Sequence, residues 1–159
     1  MCCIATIWAK AVFALKVAMI VAKCGMFTMN KHFPEFTGFD DCITPEEFYK
    51  ILDQEFHFDF DPCPLHGEKL FDGLKIPWKS RNYVNPPYSD SDPWVEKAIE
   101  ETKKGNLVVM LLKADTSTKR FHDLILPNAS EIRFVRGRLK FPPYGKPAPF
   151  ASMIVVFKP

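Results

Sequence analysis

The sequence reads as a doubly wound α/β domain: a mostly parallel sheet completed by an antiparallel C-terminal strand. Helix and strand signals alternate along residues 44–157, the pattern of a sheet covered by helices. Leu107 to Leu112 is an unbroken apolar run, the mark of a strand buried on both faces. The chain has 159 residues, which suits one domain with a single core.

Thr44-Pro45-Glu46-Glu47 predicts a helix start, with Thr44 as N-cap, Pro45 at the first helical position and Glu47 closing a capping box. Phe48, Ile51, Leu52 and Phe56 then fall on one helical face. Phe56 to Asp61 alternates apolar and polar residues and predicts a strand, halted by Pro62 and Pro64. Residues 62–80 read as loop, and Tyr83-Val84 as the end of a short strand. Asp92-Pro93 opens a second helix, Trp94 to Lys104, which Gly105 stops. Thr116 to Leu126 predicts a further helix, with Asp115 to Thr118 as its cap. Glu131 to Val135 and Met153 to Phe157 predict the last strands, and Trp78 and Trp94 are core residues by size and type.

Charge is unevenly spread. Residues 131–159 hold six basic side chains (Arg133, Arg136, Arg138, Lys140, Lys146 and Lys158) against one acid, Glu131. Residues 1–29 add Lys10, Lys16 and Lys23 with no acid, so the body between is acidic. A basic C-terminal segment beside an acidic body suits a polyanion bound at one edge. Charge alone does not separate that from a solvated strand and loop.

Residues 1–27 are apolar but broken by the three lysines, with no run of about 18 uncharged residues, which excludes a spanning helix. No charged end is followed by an uninterrupted apolar core, so the segment is not a signal peptide. An amphipathic covering helix, a surface anchor and a true start at Met26 or Met29 stay open. The expected organisation is an extension over residues 1–28 and a compact domain over 29–159. Cys2, Cys3, Cys24, Cys42 and Cys63 are odd in number and form no CxxC pair, which fits a reducing cytoplasm. Cys63 and His66, with His57 or Cys42 as further candidates, make a single tight pair where zinc sites show two, so no metal site is assigned.

Asn85-Pro86-Pro87-Tyr88 carries the chemistry. It lies at the carboxyl end of a strand, where open α/β sheets bind ligands. The exocyclic nitrogen of adenine is a poor nucleophile because its lone pair is delocalised into the ring. Two acceptors aimed at its N–H bonds, the Asn85 side-chain oxygen and the Pro86 carbonyl, would turn that lone pair toward a methyl donor. Pro86 and Pro87 stiffen the loop, and Tyr88 offers a flat face to a base taken out of the stack.

Here the chain resembles the phage-type Dam family of DNA N6-adenine methyltransferases, over roughly residues 42–158. The shared series is Thr44-Pro45, Phe58 to Asp61, Asp72-Gly73-Leu74 with Trp78, Asn85 to Ser89, Trp94 to Ala98, Gly137 to Phe141 and the closing strand Ser152 to Phe157. The resemblance implies a Rossmann-like domain that uses S-adenosylmethionine and acts on DNA. It implies that Asn85, Pro86, Pro87 and Tyr88 form the catalytic loop, and that Thr44, Pro45, Asp61, Pro62, Cys63 and Asp72 contact the cofactor. Arg136, Arg138, Lys140 and Phe141 are implied at the nucleic-acid surface, with Tyr144 as an alternative to Phe141.

The sequence departs from the wider methyltransferase pattern in lacking the glycine-rich turn after the first strand, Gly67 being the only glycine nearby. Glu68 is then the candidate acid for the cofactor ribose. The same loop could serve adenine in RNA or glutamine in a protein, and the missing turn also suits a degenerate DNA-binding module. The sequence sets neither the target sequence nor the oligomeric state.

Overall fold

The computed structural model describes residue 40 and residues 42–64, 71–142 and 145–159. The expectations placed on residues 1–28, His66, Gly67, Glu68 and Tyr144 lie outside the described residues. Helix α1 (Glu46–Phe56) is followed by strand β1 (Arg81–Val84), helix α2 (Asp92–Lys103) and strand β2 (Leu107–Lys113). A π-helix (Arg120–Ile125) then runs into a short α3 (Leu126–Asn128), followed by strands β3 (Glu131–Phe134) and β4 (Ser152–Phe157).

The four strands form one sheet in the order β1-β2-β4-β3. β1 and β2 pair in parallel, from Arg81 opposite Leu107 to Val84 opposite Met110. β4 pairs antiparallel with both β2 and β3. The sheet is therefore mixed, with one parallel strand pairing, where the sequence predicts a mostly parallel one. β4 is the antiparallel C-terminal strand that the sequence predicts, but it is inserted between β2 and β3, and β3 on its far side points the same way as β1 and β2. Beyond β1, Phe60 makes a parallel bridge to Asn82. The strand expected over Phe56–Asp61 is reduced to that bridge, because α1 runs on through Phe56.

The continuous apolar run of β2 is explained by its two neighbours. Val108, Met110 and Leu112 join Met153, Val155 and Phe157 of β4 in a core with Trp94, Val95 and Ala98 of α2 and Phe121 and Ile125 of the π-helix. Val109 and Leu111 join Ile154 and Val156 in a second core with Leu52 and Phe56 of α1, Tyr83 and Phe141. Successive side chains of a strand point to opposite faces, so β2 and β4 each supply both cores. Trp78 and Trp94 are buried together, their rings 6.4 Å apart.

Local chemistry sets the element ends. α1 starts one residue later than predicted: Pro45 takes the N-cap position and no side chain caps it. Thr44 is engaged elsewhere. On this helix Leu52 and Phe56 are buried, whereas Ile51 is exposed, so the buried stripe is narrower than its apolar residues suggest. The helix ends at His57 in the left-handed conformation, φ 52°, with its N–H on the Asp53 carbonyl and the next N–H on the Asp53 carboxylate. Gly105, at φ 97°, ends α2 as expected. The π-helix replaces a regular α-helix before Pro127, which lacks a donor and crowds the carbonyl four residues back.

Two ionic knots fix the layers. Arg133 on β3 forks onto Glu55 of α1 at 2.6 Å, bonds Glu131, and lies over the Phe56 ring. Glu101 of α2 is fully buried, bonded to Lys97, Lys104, Asn106 and the Trp78 N–H. Burial alone would raise its pKa, but the hydrogen bonds from Lys104 and Lys97 outweigh it and hold it at about 2.

Candidate active site

The Phe60 bridge, β1 and β2 run in one direction, so Asp61, Asn85 and Ala114 all leave the sheet at the same edge. Asn85 to Tyr88 follows β1 directly. Its base is anchored below by buried Asn82, whose amide donates to the Lys79 and Leu107 carbonyls at 2.7 and 3.0 Å.

Asn85 is held by its nitrogen. Its Nδ2 donates to the Cys42 carbonyl at 2.8 Å and to the Thr44 hydroxyl at 3.2 Å. A backbone carbonyl can only accept, so this contact fixes which end of the amide is nitrogen. Asn85 Oδ1 is left buried and without a hydrogen-bond partner. Thr44 Oγ1 also lies 2.7 Å from the Tyr83 hydroxyl. Tyr83 is buried edge-on to Tyr49, centroids 5.0 Å apart, and burial drives its pKa far above that of a free tyrosine.

Pro86 is buried and Pro87 half-buried, and each ring fixes its own φ. The Pro87 carbonyl accepts from Ser91 Oγ at 2.8 Å. Beyond Tyr88, the Ser89 N–H and hydroxyl both donate to the Asp40 carboxylate, at 2.9 and 2.6 Å. The Tyr88 ring lies edge-on to Phe150 at 4.9 Å and Phe141 at 6.0 Å. Its hydroxyl is buried without a partner, and burial raises its pKa well above the usual value. Two unsatisfied polar atoms thus belong to one four-residue loop. Buried polar groups are almost always paired, so an unpaired pair of this kind points to a ligand.

The structure brings together two of the segments expected at the cofactor. Asp61 Oδ1 accepts the Cys63 N–H at 2.8 Å in a tight turn. Asp72 accepts the Leu74 N–H and pairs with Lys75, its carboxylate about half exposed. Gly73 sits so close to Pro62 that a Cβ there would lie 1.9 Å from the Pro62 carbonyl oxygen. Only glycine permits this approach, and it places Asp72 beside Asp61-Pro62-Cys63. The Gly73 carbonyl in turn accepts from Trp78 Nε1 at 2.7 Å. Thr44 lies against the Asn85–Tyr88 loop instead, with its hydroxyl on Asn85 and Tyr83.

The basic segment divides. Arg133 is committed to Glu55 and Glu131. Arg136 and Arg138 are exposed, and Lys140 is half-buried with a bridge to Pro147. Phe141, expected at the nucleic-acid surface, is fully buried. It packs in the second core and backs the Tyr88 ring, so its side chain is not presented at the surface.

Cys42, Tyr83, Asp40 and Phe150 escape sequence reasoning. Each acts through contacts distant in the chain, and the Cys42 contribution is a backbone carbonyl that no side-chain motif reveals. The Cys42 thiol is itself buried, with its pKa pushed up to about 12 by burial and then by Asp40. A cleft beside Tyr88 and Ser89 also carries Lys119 and Arg120, the latter paired with Asp92 at 2.6 Å. Among the described residues, no group of three or more His, Cys, Asp or Glu gathers into a metal site. None of the described helices is long and apolar enough to cross a membrane.

The family model of DNA N-6-adenine-methyltransferases (Dam) matches residues 37–157. A DNA N-6-adenine-methyltransferase of Haemophilus phage HP1 (strain HP1c1) is 36% identical over 58% of this chain and 60% of its own length. A DNA N-6-adenine-methyltransferase of Escherichia phage T1 is 34% identical over 60% of this chain and 44% of its own length. The chain thus spans less than two thirds of either relative. The matched region takes in every described strand and the whole of the Asn85–Tyr88 loop, and the chain belongs to the DNA N-6-adenine-methyltransferase (Dam) family.

Proposed function

We propose that the protein methylates the exocyclic amino group of adenine in DNA, with S-adenosylmethionine as donor. The observation that carries this reading is Asn85 Oδ1: a buried acceptor without a partner, on an amide whose nitrogen is tied to Cys42 and Thr44. Such an atom is poised for an N–H donor from outside the protein. The Pro86 carbonyl, held by a buried proline, is the second acceptor. Together they take the two N–H bonds of the target amine, and the nitrogen lone pair is left pointing away from the base ring. Acceptors fixed in a water-excluded site stabilise the positive charge that grows on that nitrogen. The Tyr88 ring, braced by Phe141 and Phe150, supports the base.

The residues fit the donor. When bound, S-adenosylmethionine supplies an electrophilic methyl group on a sulfonium. Asp61, at the carboxyl end of its strand segment, offers a carboxylate to the cationic methionine end. Asp72, brought alongside by Gly73, would accept a hydrogen bond from the amino group of the cofactor adenine. Once nitrogen is methylated its proton is acidic and leaves to solvent, so the site needs no strong base.

The Rossmann-like reading of the fold belongs with this proposal. Helices cover both faces of the sheet, and β4 alone runs against the other strands, which supports a doubly wound methyltransferase sheet. Arg136 and Arg138 are the candidate phosphate contacts. The odd number of cysteines, with no CxxC spacing, suits a reducing cytoplasm. The test is transfer of labelled methyl groups from S-adenosylmethionine to unmethylated duplex DNA, read as N6-methyladenine after digestion to nucleosides. Label in RNA or protein, with none in DNA, would overturn the substrate.

A further inference from the structure

Asn85 can serve as an acceptor only if its amide cannot turn over. Rotating the amide by half a turn would present Nδ2 to the target amine, donor against donor, and the lone pair would lose its guide. The Cys42 carbonyl opposes that rotation through one N–H, at 2.8 Å. The second N–H goes to Thr44 Oγ1 at 3.2 Å. A hydroxyl is ambivalent, because it can donate as well as accept. Thr44 Oγ1, however, is also 2.7 Å from the Tyr83 hydroxyl. Tyr83 is fixed on three sides: it is 2% exposed, edge-on to Tyr49, and tilted against Phe58 at 5.3 Å. Whichever hydroxyl donates between Thr44 and Tyr83, a lone pair of Oγ1 remains for the Asn85 amide.

We infer that Thr44 is a positioning residue for methyl transfer: its hydroxyl, seated on Tyr83, locks the Asn85 amide with the oxygen toward the target amine. The lock joins the loop before α1 to the end of β1, and so ties the chain ahead of the helix to the catalytic loop. This rests on the proposed role of Asn85, and it gives Thr44 a task apart from the cofactor contact that the family resemblance implies.

The test compares Thr44→Val and Thr44→Ala with Thr44→Ser in the full chain. Removing one buried hydrogen bond predicts a fall of about tenfold to a hundredfold in kcat for Val and Ala. The Kd for S-adenosylmethionine stays within about twofold of the wild type, since the lock does not touch the donor. Thr44→Ser, which keeps the hydroxyl, returns kcat to within about threefold. An independent readout is the Asn85 side-chain amide by NMR: slow hydrogen exchange in the wild type and Thr44→Ser, fast exchange in Thr44→Val. Weakened donor binding with kcat retained makes Thr44 a cofactor contact and overturns the inference. An equally protected amide in Thr44→Val overturns it too, even should the wild type prove to methylate no DNA, so the two failures are told apart.

Discussion

Asn85 carries an amide whose two ends the fold treats differently: the nitrogen is satisfied twice and the oxygen not at all. The tyrosines around it are held neutral. Burial disfavours the phenolate, so Tyr83 and Tyr88 both have pKa values raised above the ordinary 10. Each therefore keeps its proton through neutral and mildly alkaline pH, and neither can act as a base there. Methyl transfer under saturating substrates is expected to vary by no more than about twofold between pH 6.5 and 9. An ascending limb with a midpoint near 7 would reveal a general base and contradict this mechanism. At this scale the sequence was legible where the chemistry is contiguous. Asn85 to Tyr88 sits in four consecutive positions, and the residue types alone suggest two acceptors and a ring. Thr44 was misread as a helix cap, because its true partners, Tyr83 and Asn85, lie 39 and 41 residues away. Local capping chemistry and long-range bonding compete for the same hydroxyl, and only the fold decides.

The elements matter for what they bring to one edge of the sheet. The parallel pairing of β1 with β2, and of Phe60 with Asn82, delivers Asp61 and Asn85 to the same end of the sheet. The loop before β1 adds Asp72 through the contact of Gly73 on Pro62. Gly73→Ala puts a methyl group 1.9 Å from a backbone oxygen that cannot yield like a flexible side chain. It is expected to destabilise the protein by about 1–3 kcal/mol in urea unfolding, the usual cost of overpacking. The donor Kd should rise about tenfold as Asp72 moves off Asp61. Unchanged stability and affinity would mean that the two loops are not in contact. Helix α2 and strand β2 were readable to within a residue or two, since Asp92-Pro93, Gly105 and an unbroken apolar run are strong local signals. The π-helix was not, because a single proline decides it. Nor was the exposure of Ile51, which helical period alone places on the apolar face.

The whole molecule sets an acidic body against a basic C-terminal segment, and the structure sorts that segment by burial. Arg133 staples β3 to α1 through Glu55 and is spent on stability. Arg136 and Arg138 are exposed on the turn beyond β3, before the fully buried Phe141 that braces Tyr88. Replacing Arg136, Arg138 and Lys140 by alanine is expected to lower the salt dependence of DNA binding by about two released counterions, most of it from the two arginines. An unchanged slope in a titration of Kd against salt would take this segment off the DNA surface. The layers and the antiparallel C-terminal strand are legible in the sequence, but the place of that strand is not: β4 lies between β2 and β3 and so makes two of the strand contacts antiparallel, an insertion that periodicity along one strand cannot reveal. The central claim is that the Asn85 oxygen engages the adenine amine and not the methyl donor. It is tested most directly by Asn85→Ala, with N6-methyladenine formation on duplex DNA and S-adenosylmethionine binding measured on the same preparation. Loss of methylation by at least about a hundredfold with donor Kd nearly unchanged is the predicted result; methylation that survives the change, or donor binding that disappears with it, would contradict the account.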